Sequence, residues 1–254
     1  MTTSYFPVLI TGGSRGLGKN MALQLAQKGF DVILTYKDNR EGAENTLREI
    51  RQLGQKAEAI PMDLSQFSKL PPFVNELKEV LSRAWGESKL HALVNNAGMG
   101  KTVPFAEVTE NLFDDFLLVH FKSVYFLTQY CVPLICEGGR IINISSGSTV
   151  RCVPGYSVYA SMKGGIEIFT RYLAKELGAR KITANVVAPG PIETDFNNAA
   201  IRNNPQMKSH LSQLSPLGRV GEANDIGGVV AFLCTEEARW INGQRLEVAG
   251  GLTL

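Results

Sequence analysis

Ser146, Tyr159 and Lys163 are the residues of this 254-residue chain whose types and spacing could do chemistry. Tyr159 and Lys163 stand four apart in the run Tyr-Ala-Ser-Met-Lys, and side chains four apart on a helix share a face. A phenol titrates near ~10; a neighbouring ammonium favours the phenolate and brings the group toward proton transfer at neutral pH. Such a pair alone is ordinary helix decoration. Ser146 adds weight, because it ends the apolar run Arg140-Ile-Ile-Asn-Ile-Ser-Ser. A hydroxyl there could hydrogen-bond the oxygen that Tyr159 protonates. Ser145 is its neighbour and rival.

The elements that must position these groups begin at the N-terminus. Thr11-Gly-Gly-Ser-Arg-Gly-Leu-Gly18 follows the apolar run Val8-Leu-Ile10 and precedes the amphipathic segment Asn20 to Lys28, with Gly29 as a stop signal. Strand, glycine turn and helix in that order bring backbone N–H groups and the positive end of a helix dipole to a pyrophosphate. Gly12, Gly16 and Gly18 make the turn, and Ser14, Arg15 and Leu17 lie within it. A second strand, Asp31 to Thr35, arrives where a βαβ unit requires it. Further strands are predicted at Ala57 to Met62, Leu90 to Val94, Gly139 to Ile144, Ile182 to Val187 and Gly243 to Val248. Helical patterns fall between them at about Glu41 to Leu53, Pro71 to Arg83, Thr109 to Cys136, Ser157 to Leu177 and Glu222 to Leu233. That alternation predicts an α/β fold, a Rossmann-type doubly wound, seven-stranded parallel sheet in one domain spanning 1–254. The stretch Asp195 to Gly221, rich in Asn and Pro, reads as an irregular lid over a substrate.

Composition narrows the function classes. A hydrophobic content of 44% with 20% charged residues describes a chain able to bury a large core, and a formal charge of +2 offers no basic footprint for nucleic acid or an anionic membrane. The opening Met1-Thr-Thr-Ser-Tyr-Phe-Pro has no basic flank or long apolar run, so no leader peptide is expected. Cys131, Cys136, Cys152 and Cys234 lack metal-ligand or redox-pair spacing. They read as buried or half-buried thiols of a cytoplasmic protein, and no metal is expected.

Four blocks in this order, the Thr-Gly-x-x-x-Gly-x-Gly turn, Asn95-Asn-Ala-Gly98, the Ser146/Tyr159/Lys163 set, and Pro189-Gly190 with Ile192-Glu-Thr194, resemble the short-chain dehydrogenase/reductase family over essentially the whole chain. The wording is similar to that of β-ketoacyl-carrier-protein reductases and the carbonyl reductases built like them. The resemblance implies that Tyr159 donates the proton, that Ser146 holds the carbonyl oxygen, and that Lys163 binds the nicotinamide ribose. It implies that Asp63 and Leu64 meet the adenine, that Asn96, Ala97 and Gly98 line the ribose, and that Ile192 and Thr194 meet the nicotinamide carboxamide. Asn95 is expected to tie strands together. A homotetramer is also implied, and Gly164 and Gly165 beside Ile166, Phe169 and Leu173 form an apolar stripe along which another helix could approach.

One family position departs. Relatives read Val-Asn-x-x-Gly-Val-Phe where this chain reads Val119-His-Phe-Lys-Ser-Val-Tyr125, so His120 replaces an asparagine that supports a helix kink and a water path to the lysine. Histidine hydrogen-bonds through either nitrogen and titrates near neutrality, which leaves a structural and a relay role open. His91 and His210 match no motif and read as structural or surface groups.

The cofactor is decidable on charge. NAD-specific sheets end the second strand in a carboxylate that binds the ribose 2′-hydroxyl and repels a 2′-phosphate. Here that position is Tyr36, followed by Lys37, and Arg15 sits in the glycine turn, which favours NADPH over NADH. The reading is an NADPH-dependent oxidoreductase acting on a small-molecule carbonyl or alcohol. The alternatives are a 3-oxoacyl-carrier-protein reductase, disfavoured by Cys136-Glu-Gly-Gly139 and a lone Lys175 where a basic docking patch is needed, and a non-catalytic NADP-sensing protein.

Overall fold

In β1 (Val8–Ile10), Val8 and Ile10 enter one buried cluster and Leu9 the other, the two-residue period of a strand covered on both faces. The computed structural model describes residues 6–252 and 254, and in it β1 lies inside a seven-stranded sheet of order β3-β2-β1-β4-β5-β6-β7. The other strands are β2 (Val32–Tyr36), β3 (Ala57–Pro61), β4 (Leu90–Asn95), β5 (Ile135–Ile144), β6 (Thr183–Pro189) and β7 (Arg245–Val248), and every pairing is parallel. The expected seven-stranded parallel sheet is therefore present. The reading of Met1 to Tyr5 lies outside the described residues.

Helices α1 (Gly16–Gln27) and α2 (Arg40–Gln52) cover one face, burying Met21, Leu25, Leu47 and Ile50 against Val8 and Ile10. Helix α3 (Leu70–Trp85) covers the other through Phe73 and Leu77. The sequence pattern predicts helix from about Thr109 to Cys136, with the resemblance implying a kink near His120. The chain forms α4 (Glu110–Leu117), a π turn (Leu118–Lys122) and α5 (Ser123–Cys131). Pro133 stops it in a short 3₁₀ turn, since its ring and missing N–H cannot continue a helix. β5 then begins at Ile135, four residues before the expected Gly139, because Ile135 is fully buried opposite Leu90 ahead of a register shift near Gly138. Cys136-Glu-Gly-Gly139 thus lies within the strand, and Glu137 pairs with Arg180 at 2.7 Å.

Helix α6 (Ser157–Glu176) carries Tyr159 and Lys163 on one side. The apolar stripe of α6 meets residues of its own chain, helix α5 among them. Ile166 and Leu173 are buried, Phe169 stacks on Tyr125 of α5 at 4.5 Å, and Gly165 lies against Phe121. The exposed apolar side chains of α6 are Ile168 and Tyr172. Beyond β6 the 195–221 stretch is not irregular throughout. It holds a short helical segment α7 (Phe196–Ala199) and a full helix α8 (Pro205–Leu214). Asn204 caps α8 by accepting from the Met207 N–H at 2.9 Å, and Pro205 takes its first turn, so the Asn-Pro pair that reads as loop is a helix start. Helix α9 (Ala223–Leu233) returns to the α1 face. Among the described residues no helix is long and apolar enough to cross a membrane.

Candidate active site

Strand order reverses between β1 and β4, and open α/β sheets bind ligands at the carboxyl ends of their strands beside such a switch. A cleft of about 1110 Å³ opens there. That exceeds the roughly 300–1,000 Å³ of a pocket for one drug-sized ligand, so it has room for a dinucleotide and a substrate together. All of the residues expected from the sequence to touch cofactor or substrate line it.

One half of the cleft fits a dinucleotide. Helix α1 starts at Gly16 with no side-chain cap and no acid in its first turn, which leaves N–H donors and the dipole facing the cleft. Gly12 has φ +72°, and a Cβ at Gly18 would overlap the Gly12 carbonyl, so only glycines make this close turn. Ser14, Leu17 and Arg15 border it, and Arg15 is exposed with no ion pair among the described residues. Thr11 Oγ1 accepts from the N–H groups of Asn96 and Ala97 at 2.9 Å each, which binds the β4 end to the turn. Asn95 points away, donating to Asn143 at 2.8 Å and Thr128 at 3.0 Å, and so links β4 to β5 and α5 as expected. Leu64 is buried, and its carbonyl accepts from Ser123 at 2.7 Å. Tyr36 ends β2. Lys37 is 3.1 Å from Asp63, a partner the sequence does not suggest. Burial alone raises the Asp63 carboxyl, but hydrogen bonds from Ser65 and the Lys37 ammonium outweigh it and hold the group below its usual range. On the far side, Ile192 bridges to Gly221 and Thr194 is nearly buried. The backbone and these side chains would hold NADP along this half.

At the inner end the two serines have different partners. Ser145 turns back to donate to Glu167 at 2.6 Å. Ser146 Oγ accepts from the Ser148 N–H at 3.1 Å and the Ser148 hydroxyl at 2.9 Å, and it hydrogen-bonds Tyr159. Sequence reasoning misses Ser148, because four nearby hydroxyls carry no direction. Behind them Arg245 of β7 bonds Glu167 at 2.9 Å, Thr149 at 3.1 Å and the Ser146 carbonyl at 3.3 Å. This tether joins the serine loop to α6 and the sheet edge.

The helical spacing of Tyr159 and Lys163 is as expected, but the charge effect differs. The Lys163 ammonium lies 5.7 Å from the Tyr159 ring centre and donates to the Ile144 carbonyl at 2.7 Å. Burial pushes the Tyr159 phenol up from its ordinary value, with the Ser146 hydrogen bond acting against it, and pushes Lys163 down to about 8. The phenol therefore holds its proton at neutral pH.

His120 sits in the π turn, 1% exposed, edge-on to Tyr159 with ring centres 5.1 Å apart. Its Nε2 is 2.8 Å from the Met99 carbonyl, which puts the proton on Nε2, and its ring lies against Gly98, where a Cβ would come within 2.7 Å. Burial, helped by the Lys163 charge, pushes the imidazole down to about 3. Burial of this kind favours a neutral imidazole, and the contacts with Met99 and Gly98 suit a clamp on the β4 loop better than a proton relay. His120→Asn is accordingly expected to leave the pH–rate profile unchanged between pH ~5.5 and ~7.5. In both proteins activity should fall above pH about 8 as Lys163 loses its proton. Loss of a limb near ~6.5 in the variant would overturn the structural role.

The outer half of the cleft is apolar and largely illegible in the sequence. Met99 follows β4, Tyr156 precedes α6, and Phe196, Ile201, Met207 and Leu211 come from the 195–221 stretch. His210 is exposed, as read, and also lines this half; it is placed there by α8, a helix where the sequence pattern shows loop. His91 is structural, bonding the Cys234 carbonyl at 2.7 Å and stacking on Phe30. Cys131 and Cys234 are buried, and burial pushes both thiols up to about 12, whereas Cys152 is exposed, contrary to expectation. Among the described residues no cluster of His, Cys, Asp and Glu could hold a metal.

The comparisons with known proteins agree with this geometry. Residues 12–253 match a family model described as enoyl-(acyl carrier protein) reductase, adh_short_C2. A hydroxynaphthalene reductase-like protein of Metarhizium brunneum is 34% identical over 96% of this chain and 93% of its own length. The structure of the promiscuous reductase LugOII, which catalyses keto-reduction at C1 in lugdunomycin biosynthesis, superposes with TM-score 0.94 at 35% identity, covering 100% of both chains. The angucycline C-6 ketoreductase LanV, solved with NADP bound, superposes with TM-score 0.92 at 34% identity over 97% of this chain and 95% of its own. With the glycine turn, the Asn95 link, the Ser146/Tyr159/Lys163 set and the sheet order all in place, the chain belongs to the short-chain dehydrogenase/reductase family of oxidoreductases.

Proposed function

We propose that this chain, an NADP-dependent carbonyl oxidoreductase, reduces a ketone set in a flat, apolar ring system, with Tyr159 as the proton donor. The observation that carries the reading is where Tyr159 stands, between the nucleotide half of the cleft and a wall of rings in which Tyr156 and Phe196 each lie 6.2 Å from it. Relatives named for hydroxynaphthalene and angucycline chemistry support it. Bound NADPH supplies the hydride. Ser146, its lone pairs engaged by Ser148, turns its hydrogen from the Tyr159 oxygen to the carbonyl oxygen and holds the ketone in place. As negative charge grows on that oxygen, Tyr159 gives it the phenolic proton. The phenolate left behind is stabilised by Ser146 and by the Lys163 ammonium, which also holds the nicotinamide ribose hydroxyls. The 195–221 stretch acts as the lid, since its apolar side chains form the outer wall and shield this step from water.

The protein works in the cytoplasm as a homotetramer. Ile168 and Tyr172 of α6, with Tyr125 of α5 and Trp240, are the exposed apolar groups suited to contacts between copies. An NADPH-oxidation screen over aryl ring ketones, open-chain ketones, sugars and acyl thioesters tests the substrate class. Ring ketones should give the highest kcat/KM, and highest turnover on acyl thioesters would overturn the reading.

The carrier-protein alternative has a separate check. Glu137, ion-paired to Arg180, puts a carboxylate where an acidic carrier would dock. An acyl group on the carrier should be reduced no faster than the same group on a small thiol. A carrier preference that fades with salt would restore the fatty-acid reading.

A further inference from the structure

The outer cleft, mostly apolar, carries a polar pair beside Tyr159. Asn197 of α7 donates from Nδ2 to the Tyr156 hydroxyl at 3.2 Å and to Thr102 Oγ1 at 3.3 Å, joining the lid, the loop before α6 and the loop after β4. All three residues line the cleft, and the Tyr156 ring is 6.2 Å from that of Tyr159. The bonds leave hydrogen-bonding capacity unused. Tyr156 accepts with its oxygen, so its hydrogen has no acceptor among the described residues, and Asn197 Oδ1 has no donor among them. The backbone that aims Asn197 is itself costly. Asn197, Asn198 and Ala199 have φ of 53°, 58° and 54°, the left-handed region that asparagine tolerates and alanine resists. Strain of this kind persists where other contacts hold it, and it marks positions worth testing for function.

We propose that Tyr156 and Asn197 form a specificity site for a second oxygen on the substrate, a phenolic hydroxyl on the ring system whose ketone is reduced at Tyr159. A donor and an acceptor side by side match a hydroxyl, which both gives and takes a hydrogen bond; a second carbonyl or an ether would leave Asn197 Oδ1 unpaired. A polar pair in an apolar wall discriminates by penalty, since a substrate lacking the hydroxyl removes water from these groups without replacing its bonds. The inference rests on the ring-ketone reading and deepens it to hydroxylated aryl ketones.

The test compares kcat/KM for 1-tetralone, its ring-hydroxylated isomers and the matching methoxy compounds, with NADPH and the full-length protein. At least one hydroxy isomer should exceed 1-tetralone by about 10-fold, with its methoxy partner showing no such gain. In Tyr156→Phe, which keeps the ring, and Asn197→Gly, which suits the left-handed backbone, that ratio should fall to about one. NADPH binding by fluorescence verifies that each variant is folded. A wild-type ratio near one for every isomer, an equal gain from methoxy, or a ratio preserved in both variants overturns the specificity site while leaving the ring-ketone reading intact. If no ring ketone is reduced but other carbonyls are, the ring-ketone reading fails and this site fails with it.

Discussion

Tyr159→Phe should lower kcat by about 10²-fold or more while leaving NADPH affinity within about twofold. Burial keeps the Tyr159 phenol protonated at neutral pH, so the group is loaded for donation before the carbonyl binds. Phenylalanine keeps the ring contacts with His120, Phe116 and Tyr156 and removes only the hydroxyl. The lost hydrogen bond to Ser146 costs about 1 kcal/mol, too little to unfold a domain of this size. A fall in turnover at unchanged thermal stability therefore reports chemistry. Ser146 cannot replace the donor, because an aliphatic hydroxyl is a far weaker acid than a phenol. Initial rates on the best ring ketone, with NADPH binding titrated separately, decide it. Turnover within threefold of the parent protein (about 0.65 kcal/mol) would show that the proton comes from elsewhere.

Replacing Arg15 and Lys37 together with alanine should raise KM for NADPH by at least ~10-fold and leave NADH almost unaffected, since only NADPH carries the 2′-phosphate these cations would meet. The two are not equivalent. Arg15 has no ion pair among the described residues, whereas Lys37 lies 3.1 Å from Asp63 with over half its side chain exposed. A surface pair of that sort is worth little by itself, so Lys37 can turn to a phosphate at small cost, but Asp63 opposes the approaching anion. Arg15→Ala should account for the larger share of the loss. Lys37 is already partly neutralised by Asp63, so removing it alone should weaken NADPH binding less than Arg15→Ala does. Equal effects on both cofactors would mean that neither cation reads the 2′-phosphate.

Elements whose signals are local are legible in the residues themselves. The two-residue alternation of Val8, Leu9 and Ile10 and the glycines at 12, 16 and 18 depend on chain geometry within one turn or strand, and these glycines do line the cleft. The spacing from Tyr159 to Lys163 likewise survives folding, because a single helical turn already decides which side chains share a face. Boundaries fail where one residue overrides a pattern, as Pro133 does after α5 and Asn204-Pro205 does at the start of α8.

What tertiary structure alone decided is the state and direction of the polar groups. Residue type and spacing lean Tyr159 toward the phenolate and let His120 titrate near neutrality, yet burial moves the first up and the second down to about 3. Desolvation is set by every atom packed around a group, most of them distant in sequence, as Met99 and Gly98 are from His120. Ser145 and Ser146 are adjacent, so spacing could only favour one; Glu167 takes the hydroxyl hydrogen of the first, while the oxygen of the second accepts from Ser148. The apolar wall and its Tyr156–Asn197 break bring together three separate loops, a juxtaposition that no local periodicity encodes. Residue types and spacing determined the family and the kind of chemistry, because these depend on short-range geometry. Protonation, the partners of the two serines and the shape offered to the substrate depend on long-range packing, and only the folded chain decides them.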